Sequence, residues 1–220
     1  PPRHPVAPPH LPAWPLTRAP VSGQWGPSAR SGVLRGRPVH MPRQIEFAGI
    51  RLLVLDVDGV LTDGTVLLHA DGSESKSFSL LDGHGVKMWR RAGLEVALLS
   101  GRPSPATRCR AAQLQIEHVL EGHTQKLPAL KGLLGQLGLR PQQAAYVGDD
   151  LLDLPPLRYV GFGVAVANAV DELKQYADYV TTRAGGHGAV REVIEVILKQ
   201  GGFWESVMER YQAEPEPGSS

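Results

Sequence analysis

The chain has only one cysteine, Cys109, among its 220 residues. A single thiol cannot form an internal disulfide, so a disulfide-stabilised secreted scaffold is excluded and a reducing compartment such as the cytoplasm is favoured. The 23 lysine and arginine residues nearly balance the 22 acidic ones, and no basic stripe indicates a nucleic-acid partner. The apolar runs are too short to span a bilayer, and no signal-peptide pattern is present. We therefore expect a cytoplasmic protein with neither a nucleic-acid nor a membrane partner.

The composition divides the chain into three parts. Residues 1–43 are dense in proline and arginine without a helical or strand period, which predicts a disordered extension. Whether this part is foreign to the native protein or is a functional arm stays open. Residues 44–200 alternate apolar strand-like runs with helical stretches, the pattern of one α/β domain. Residues 201–220 are predicted to form a C-terminal helix and a disordered tail.

The first apolar run, residues 50–55, ends in two carboxylates one residue apart, Asp56 and Asp58. A continuous apolar run of this length is typical of a strand buried in a parallel sheet, and ligands bind beyond the carboxyl ends of such strands. Carboxylates this close repel each other unless a cation or a shared proton intervenes. A calcium loop is excluded because Leu61 and Leu67 stand where it needs glycine and glutamate.

Two short runs, residues 65–69 and 75–80, flank an Asp-Gly turn and predict a β-hairpin. Placed just after the first strand, the hairpin would overhang the site as a small flap. Only about thirty residues separate Asp63 from the next predicted strand, which is too few for an independent cap domain. Water must still be excluded from such a site, so we infer that neighbouring subunits complete its cover.

Two further features are typical of a phosphate site. The strand predicted over 94–99 ends in Ser100 and Gly101, which can offer O–H and backbone N–H donors to a phosphate, although an ordinary turn has the same sequence. Lys126 opens the helix predicted over 126–137. Since a cation at a helix N-terminus is unfavourable, a nearby anion would explain its position.

A second acidic cluster follows the apolar run at 144–147 and contains Asp149, Asp150 and Asp153. Acids at the ends of two parallel strands can converge on one hard cation. Mg²⁺ prefers a few carboxylates together with waters and phosphate oxygens. The sequence therefore predicts a Mg²⁺ site shared between Asp56 and this cluster.

Together these residues resemble the haloacid dehalogenase superfamily of phosphotransferases. The resemblance extends from about Ile50 to Leu198 and is closest to the 3-deoxy-D-manno-octulosonate 8-phosphate phosphatase group, at residues 55–64, 145–150 and 184–192. It implies an α/β fold with a Rossmann-like, doubly wound and mostly parallel sheet, a small β-hairpin flap and no cap domain. It also implies a Mg²⁺-dependent sugar-acid phosphatase of lipopolysaccharide biosynthesis that assembles as a homotetramer.

The resemblance implies a role for each site residue. Asp56 would attack phosphorus to form an aspartyl-phosphate, and Asp58 would protonate the leaving oxygen and then deprotonate the attacking water. Ser100, Gly101 and Lys126 would bind the phosphoryl oxygens. The metal ligands would be Asp56, the carbonyl of Asp58 and Asp149, with Asp150 and Asp153 in support.

The remaining candidate residues concern the substrate. Four residues are candidates for contacting the sugar acid: Thr62, Lys76, Arg102 and His187. Leu81 and His187 stand where relatives commonly carry a basic residue. A nonulosonate 9-phosphate is therefore an alternative to the octulosonate. A non-hydrolytic domain that partners a cytidylyl transferase is a second alternative, and a mutase would need a larger cap.

Overall fold

The computed structural model describes residues 44–212, so the predicted extension (1–43) and the end of the predicted tail (213–220) lie outside the described residues. One parallel six-stranded sheet has the order β5-β4-β1-β6-β7-β8. Its strands are β1 Leu52–Leu55, β4 Glu95–Leu99, β5 His118–Leu120, β6 Ala144–Gly148, β7 Phe162–Ala165 and β8 Tyr179–Val180. A separate antiparallel pair comprises β2 Leu67–Leu68 and β3 Glu74–Ser75.

Seven α-helices flank or follow the sheet. They are α1 Leu80–Arg91, α2 Pro105–Leu114, α3 Lys126–Leu137, α4 Leu154–Tyr159, α5 Asp171–Lys174, α6 Ala189–Gln200 and α7 Trp204–Gln212 within the described range. Helix α1 packs against α6, and α3 packs against α4. The predicted α/β class, the parallel sheet and the small hairpin are confirmed. Between β1 and α1, the two-stranded hairpin is the only regular structure inserted.

Strand β1 lies at the centre of the fold because all four of its residues are apolar and buried. It pairs with β4 on one side and with β6 on the other, so Leu55 lies opposite both Leu98 and Val147. Trp89 of α1 is fully buried, and its indole N–H donates to the carbonyl of Glu95 at 2.6 Å.

The order of the strands creates a topological switch point. From β1 the chain builds outward through β4 and β5, then crosses to the other side of β1 and builds outward through β6, β7 and β8. A crevice therefore opens between the carboxyl ends of β1 and β6, which is where doubly wound folds bind their ligands. The two predicted acidic clusters follow these two strands.

Some boundaries differ from the sequence-based prediction. The hairpin strands span two residues each, and α1 begins at Leu80 because the Ser79 hydroxyl accepts a hydrogen bond from the backbone N–H of Asp82.

Helix α7 contacts α1 through the Tyr211 hydroxyl, which lies 3.0 Å from the Arg91 guanidinium. No helix within residues 44–212 has the length and apolar character needed to cross a membrane.

Candidate active site

The loop after β1 turns sharply and places Asp56 and Asp58 at the crevice. The Thr62 hydroxyl holds the turn by accepting hydrogen bonds from the backbone N–H groups of Gly59 and Gly64, each at 3.2 Å. Gly59 has φ +93°, and a Cβ at this position would collide with the carboxylate of Asp149. Only glycine therefore allows the two acidic loops to approach this closely.

The loop after β6 is organised around the buried carboxylate of Asp153. Its Oδ2 accepts hydrogen bonds from the backbone N–H groups of Asp149 at 2.9 Å and Asp150 at 3.2 Å. Its Oδ1 accepts from the hydroxyl of Tyr146, a fully buried residue of β6, at 2.6 Å. Gly148 makes room for this carboxylate, since a Cβ there would overlap it. Asp153 therefore fixes the backbone that presents Asp149.

Lys126 connects the two loops. It is buried at the start of α3, with its ammonium 2.8 Å from Asp56 and 2.6 Å from Asp153. These two anions explain why a cation stands at a helix N-terminus. Since a buried charge is tolerated only when it is paired, the ammonium and the two carboxylates depend on one another.

The number of carboxylates in the site nevertheless exceeds the number of cations beside them. Burial raises the pKa of Asp56 to about 6, with further repulsion from Asp153, while Lys126 opposes the shift. Burial, followed by repulsion from Asp56 and Asp153, raises the pKa of Asp149 to about 8. Oxygens of these three carboxylates lie within 4.8 Å of one another.

These observations fit a divalent cation. Carboxylate oxygens are the ligands that Mg²⁺ prefers, and a cation would offset the repulsion between them. The oxygens of Asp153 already accept hydrogen bonds from side chains and backbone. Asp56 and Asp149, two of the three predicted metal ligands, therefore have the free ligand capacity.

The other wall of the crevice follows β4. Ser100 is buried, and its hydroxyl donates to the carbonyl of Arg102 at 3.0 Å. The cavity between the walls has a volume of about 260 Å³. Its lining residues are Asp56, Asp58, Ser100, Gly101, Arg102, Thr124, Lys126, Asp149, Asp150, Leu152 and Asp153. The structure thus brings together all the predicted catalytic, phosphate-binding, metal-binding and supporting residues.

The candidate substrate residues are distributed differently. Lys76 and Arg102 both reach the site, but their charged groups lie against Asp58, at 2.7 Å and 3.1 Å respectively. Thr62 is fully buried within its own loop and does not line the cavity. His187 is exposed in the glycine-rich loop, which packs on the Asp56 loop through a 2.9 Å hydrogen bond from Gly186 N–H to the Val60 carbonyl.

Two residues of this site were not anticipated from the sequence. Tyr146 is part of an apolar strand run, and nothing local distinguishes its hydroxyl from that of an ordinary core tyrosine. Glu74 pairs with Arg102 at 2.7 Å. The position of Glu74 beside the site could have been anticipated from the sequence. Glu74 and Lys76 lie two residues apart in an extended segment, and such residues share one side of a strand.

Three features together define a metal-dependent α/β phosphotransferase. They are a carboxylate-rich cavity at the switch point of a parallel sheet, a buried ammonium, and a hydroxyl at the end of the facing strand. Residues 112–194 match the family model of haloacid dehalogenase-like hydrolases. The 3-deoxy-D-manno-octulosonate 8-phosphate phosphatase of Salmonella typhi is 45% identical over 161 residues, which are 73% of this chain and 86% of that protein. The chain therefore belongs to the haloacid dehalogenase-like hydrolases and, among them, to the 3-deoxy-D-manno-octulosonate 8-phosphate phosphatase family.

Solved structures agree with this assignment. The phosphatase of this name from Moraxella catarrhalis, in complex with magnesium, phosphate and the sugar acid, has a TM-score of 0.74 and 39% identity, over 76% of this chain and 95% of that one. The cobalt-bound enzyme from Haemophilus influenzae has a TM-score of 0.69 and 42% identity, over 71% of this chain and 92% of that one.

Proposed function

We propose that the chain is a Mg²⁺-dependent phosphatase that hydrolyses 3-deoxy-D-manno-octulosonate 8-phosphate in the cytoplasm, through an aspartyl-phosphate. The observation that carries the proposal is the placement of Asp56 in the switch-point cavity, 2.8 Å from the Lys126 ammonium and beside Asp149. Family membership indicates the substrate. The residues at the cavity supply a nucleophile, a proton carrier, a cation and a metal site, which are the components that phosphoryl transfer requires.

In the first half of the reaction, Asp56 attacks phosphorus. One carboxylate oxygen is held by Lys126, which leaves the other to form the new bond. Lys126 and the donors of Ser100 and Gly101 then bind the phosphoryl oxygens as negative charge develops on them. Mg²⁺ held by Asp56, Asp149 and the Asp58 carbonyl would supply further charge neutralisation at those oxygens.

Asp58 serves both halves of the reaction. It protonates the sugar oxygen as that oxygen leaves, and its carboxylate then accepts a proton from the water that attacks the aspartyl-phosphate. Asp153 supports the site by holding Lys126 and the backbone of Asp149. Asp150 acts further out, because its carboxylate caps a turn by accepting from the N–H of Leu151 at 2.7 Å.

On the sugar side, Arg102 is the residue best placed to bind the substrate carboxylate. It lines the cavity, and its Nη2 is buried without a hydrogen-bond partner among the described residues. Guanidinium donors match carboxylate geometry well. His187 and the loop held by Thr62 lie further from the cavity, and we assign them the more distant contacts of the substrate or of a neighbouring subunit.

Exposed leucines around the site support assembly into the proposed homotetramer. Leu67 and Leu68 of the hairpin are 61% and 73% exposed, and Leu80 at the start of α1 is 81% exposed. Exposed apolar side chains on and beside the hairpin are what an interface between subunits would cover. The proposal requires a molar mass of four chains in multi-angle light scattering, and a monomer in solution would contradict it.

The function is tested by phosphate release from 3-deoxy-D-manno-octulosonate 8-phosphate and a nonulosonate 9-phosphate, with Mg²⁺ or with EDTA. We expect Mg²⁺-dependent release, fastest with the octulosonate, and a loss of roughly 10⁴-fold in Asp56→Asn because the nucleophile is removed. Asp171→Asn, at an exposed position, is the matched control. Faster release from the nonulosonate would change the substrate. No release from either sugar phosphate would favour the non-hydrolytic role beside a cytidylyl transferase.

A further inference from the structure

The hairpin reaches the active site through its second strand. Glu74 and Lys76 lie two residues apart in an extended segment, so both side chains point to the same side, towards the sheet. Ser75 between them faces solvent, where its hydroxyl lies 2.9 Å from the imidazole of His69. The inner side of this segment therefore carries one anion and one cation to the mouth of the crevice.

The Lys76 side chain is completely buried there. Its ammonium lies 2.7 Å from Oδ1 of Asp58 and donates a hydrogen bond to the Thr107 hydroxyl of α2 at 3.2 Å. A buried ammonium is stable only beside an anion and hydrogen-bond acceptors, and these two groups supply both. Lys76 thus joins the hairpin, α2 and the carboxylate that follows β1.

The other oxygen of Asp58 is held from the same side. Oδ2 accepts a hydrogen bond from Nε of Arg102 at 3.1 Å, and Arg102 is itself paired with Glu74 at 2.7 Å. Glu74 is also hydrogen-bonded to the Ser104 hydroxyl. Each Asp58 oxygen therefore faces one cation, and both cations depend on the segment that contains Glu74 and Lys76.

The two oxygens of Asp58 are not equivalent, however. Oδ1 has the ion pair with Lys76 but accepts no directed hydrogen bond within the described residues. Since Oδ1 is also inaccessible to solvent, Asp58 can exchange a proton with the cavity only through Oδ2, and the ion pair at Oδ1 fixes the rotation of the carboxylate. Proton transfer depends on this geometry, because the donor must lie within hydrogen-bond reach of the leaving oxygen.

We propose that Lys76 is a positioning residue that orients Asp58 for proton transfer, an inference that rests on the proposed phosphatase function. When the bond from Asp56 to phosphorus forms and the phosphorus–sugar oxygen bond breaks, the proton on Asp58 passes to the sugar oxygen. In the second half, the same carboxylate takes one proton from water as the water oxygen bonds to phosphorus and releases Asp56. Lys76 keeps its own protons throughout and contacts neither reacting oxygen.

The alternative assignment is that Lys76 binds the carboxylate of the sugar acid. Three substrates distinguish these two roles of Lys76. The octulosonate phosphate has a carboxylate and a poor leaving group, and glucose 6-phosphate has a poor leaving group without a carboxylate. The third, p-nitrophenyl phosphate, releases a stable nitrophenolate that leaves without protonation. Loss of proton transfer affects the first two, whereas loss of carboxylate binding affects only the first.

The experiment measures kcat and KM of Lys76→Met with all three substrates. We expect kcat/KM to fall roughly 100-fold for both sugar phosphates and less than threefold for p-nitrophenyl phosphate, since general acid catalysis contributes on this scale. Lys76→Arg keeps a cation and should restore part of the loss. Lys87→Met, at an exposed position on α1, is the matched control and should behave as wild type.

A second variant guards against misfolding of Lys76→Met. Thr107→Val keeps the volume of a buried residue and removes only the second partner of the ammonium, so a smaller loss confined to the sugar phosphates is expected. Equal losses of kcat/KM with all three substrates, a loss of kcat/KM confined to the octulosonate phosphate, or wild-type kcat/KM in both variants would overturn the proposal. Its failure is distinct from that of the phosphatase function, which would instead leave the wild type without Mg²⁺-dependent activity.

Discussion

The two sides of the cavity are built in different ways. The phosphoryl side is a buried network in which Asp153 binds Lys126, Tyr146 and two backbone N–H groups behind Asp56. The sugar side includes a hairpin with two residues in each strand, whose charged side chains contact Asp58 and Arg102 of the cavity while its leucines are exposed. The first is fixed by the central strands, and the second is attached through ion pairs and side-chain hydrogen bonds.

This difference matches the two tasks of the site. Phosphoryl transfer requires the same atoms in the same places for any substrate, and groups locked by packing on a sheet provide this without reorganisation. Recognition of a particular sugar depends on a small surface element, which can change without disturbing the core. A two-stranded hairpin is only marginally stable alone, so its position depends on the charges that connect it to the site.

Among the variants that test this comparison, the largest effect is expected from removing the cation of the buried network. Lys126→Met leaves Asp56 and Asp153 without their partner, so kcat should fall by about 10²–10³-fold and the free energy of unfolding by ~3–5 kcal/mol. Both are measurable by phosphate release and by urea unfolding. Lys131→Met, exposed on the same helix, should change neither. A Lys126 variant as stable as wild type would show that the network is not a source of stability.

Tyr146→Phe sharpens the comparison by deleting a single oxygen. The lost hydrogen bond to the buried carboxylate of Asp153 should cost about 2 kcal/mol and lower Tm by ~4–8 °C. Tyr179→Phe is the matched control, because that hydroxyl also donates to a carboxylate, Glu192 at 2.8 Å, but at a partly exposed position. Equal shifts in the two variants would remove the distinction between the buried network and an ordinary surface bond.

The excess negative charge predicts a pH-dependent metal affinity. Without a cation, the pKa of Asp149 near 8 keeps this residue largely protonated at neutral pH, so Mg²⁺ must displace a proton. The apparent affinity for Mg²⁺ should therefore weaken up to about tenfold per pH unit below 8. Calorimetry in buffers with different ionisation enthalpies would detect the released proton. An affinity independent of pH from 6 to 8 would contradict this account.

The smallest effect concerns the attachment of the hairpin. Glu74→Gln weakens the pair with Arg102, which is 41% exposed, so little change in global stability is expected. Hydrogen exchange at the hairpin amides should nevertheless accelerate several-fold, while amides of β1 remain protected. Glu172→Gln, at an exposed position in α5, provides the control. Unchanged exchange in the hairpin would mean that contacts other than this pair hold it.

Much of the site could be predicted from local patterns. Asp56, Asp58 and Asp149 follow apolar runs that end abruptly, and strand ends of a parallel sheet share one edge, so the convergence of these acids follows from the fold class. Lys126 was recognisable because a cation is unfavourable at a helix N-terminus. These inferences needed only the order of short segments.

Other contacts could not be read in this way. Lys76 and Arg102 were predicted to contact the substrate, and no local pattern indicated that both also lie against Asp58, 18 and 44 positions away along the chain. Tyr146 has the sequence context of a core residue, and its hydroxyl acquires a role only because Asp153 folds back beneath it. Each of these depends on where separate segments meet.

The sequence by itself determined the α/β class, the parallel direction of the strands and the edge of the sheet that carries the acids. The periodicity of apolar residues, the glycines at turns and the length of each apolar run involve only a few neighbouring residues. They can therefore be recognised in a single sequence. The tertiary structure alone decided which cation faces which carboxylate oxygen, because an ion pair requires an approach within about 4 Å between segments that are distant in sequence. Burial then made those pairings strong enough to define the site.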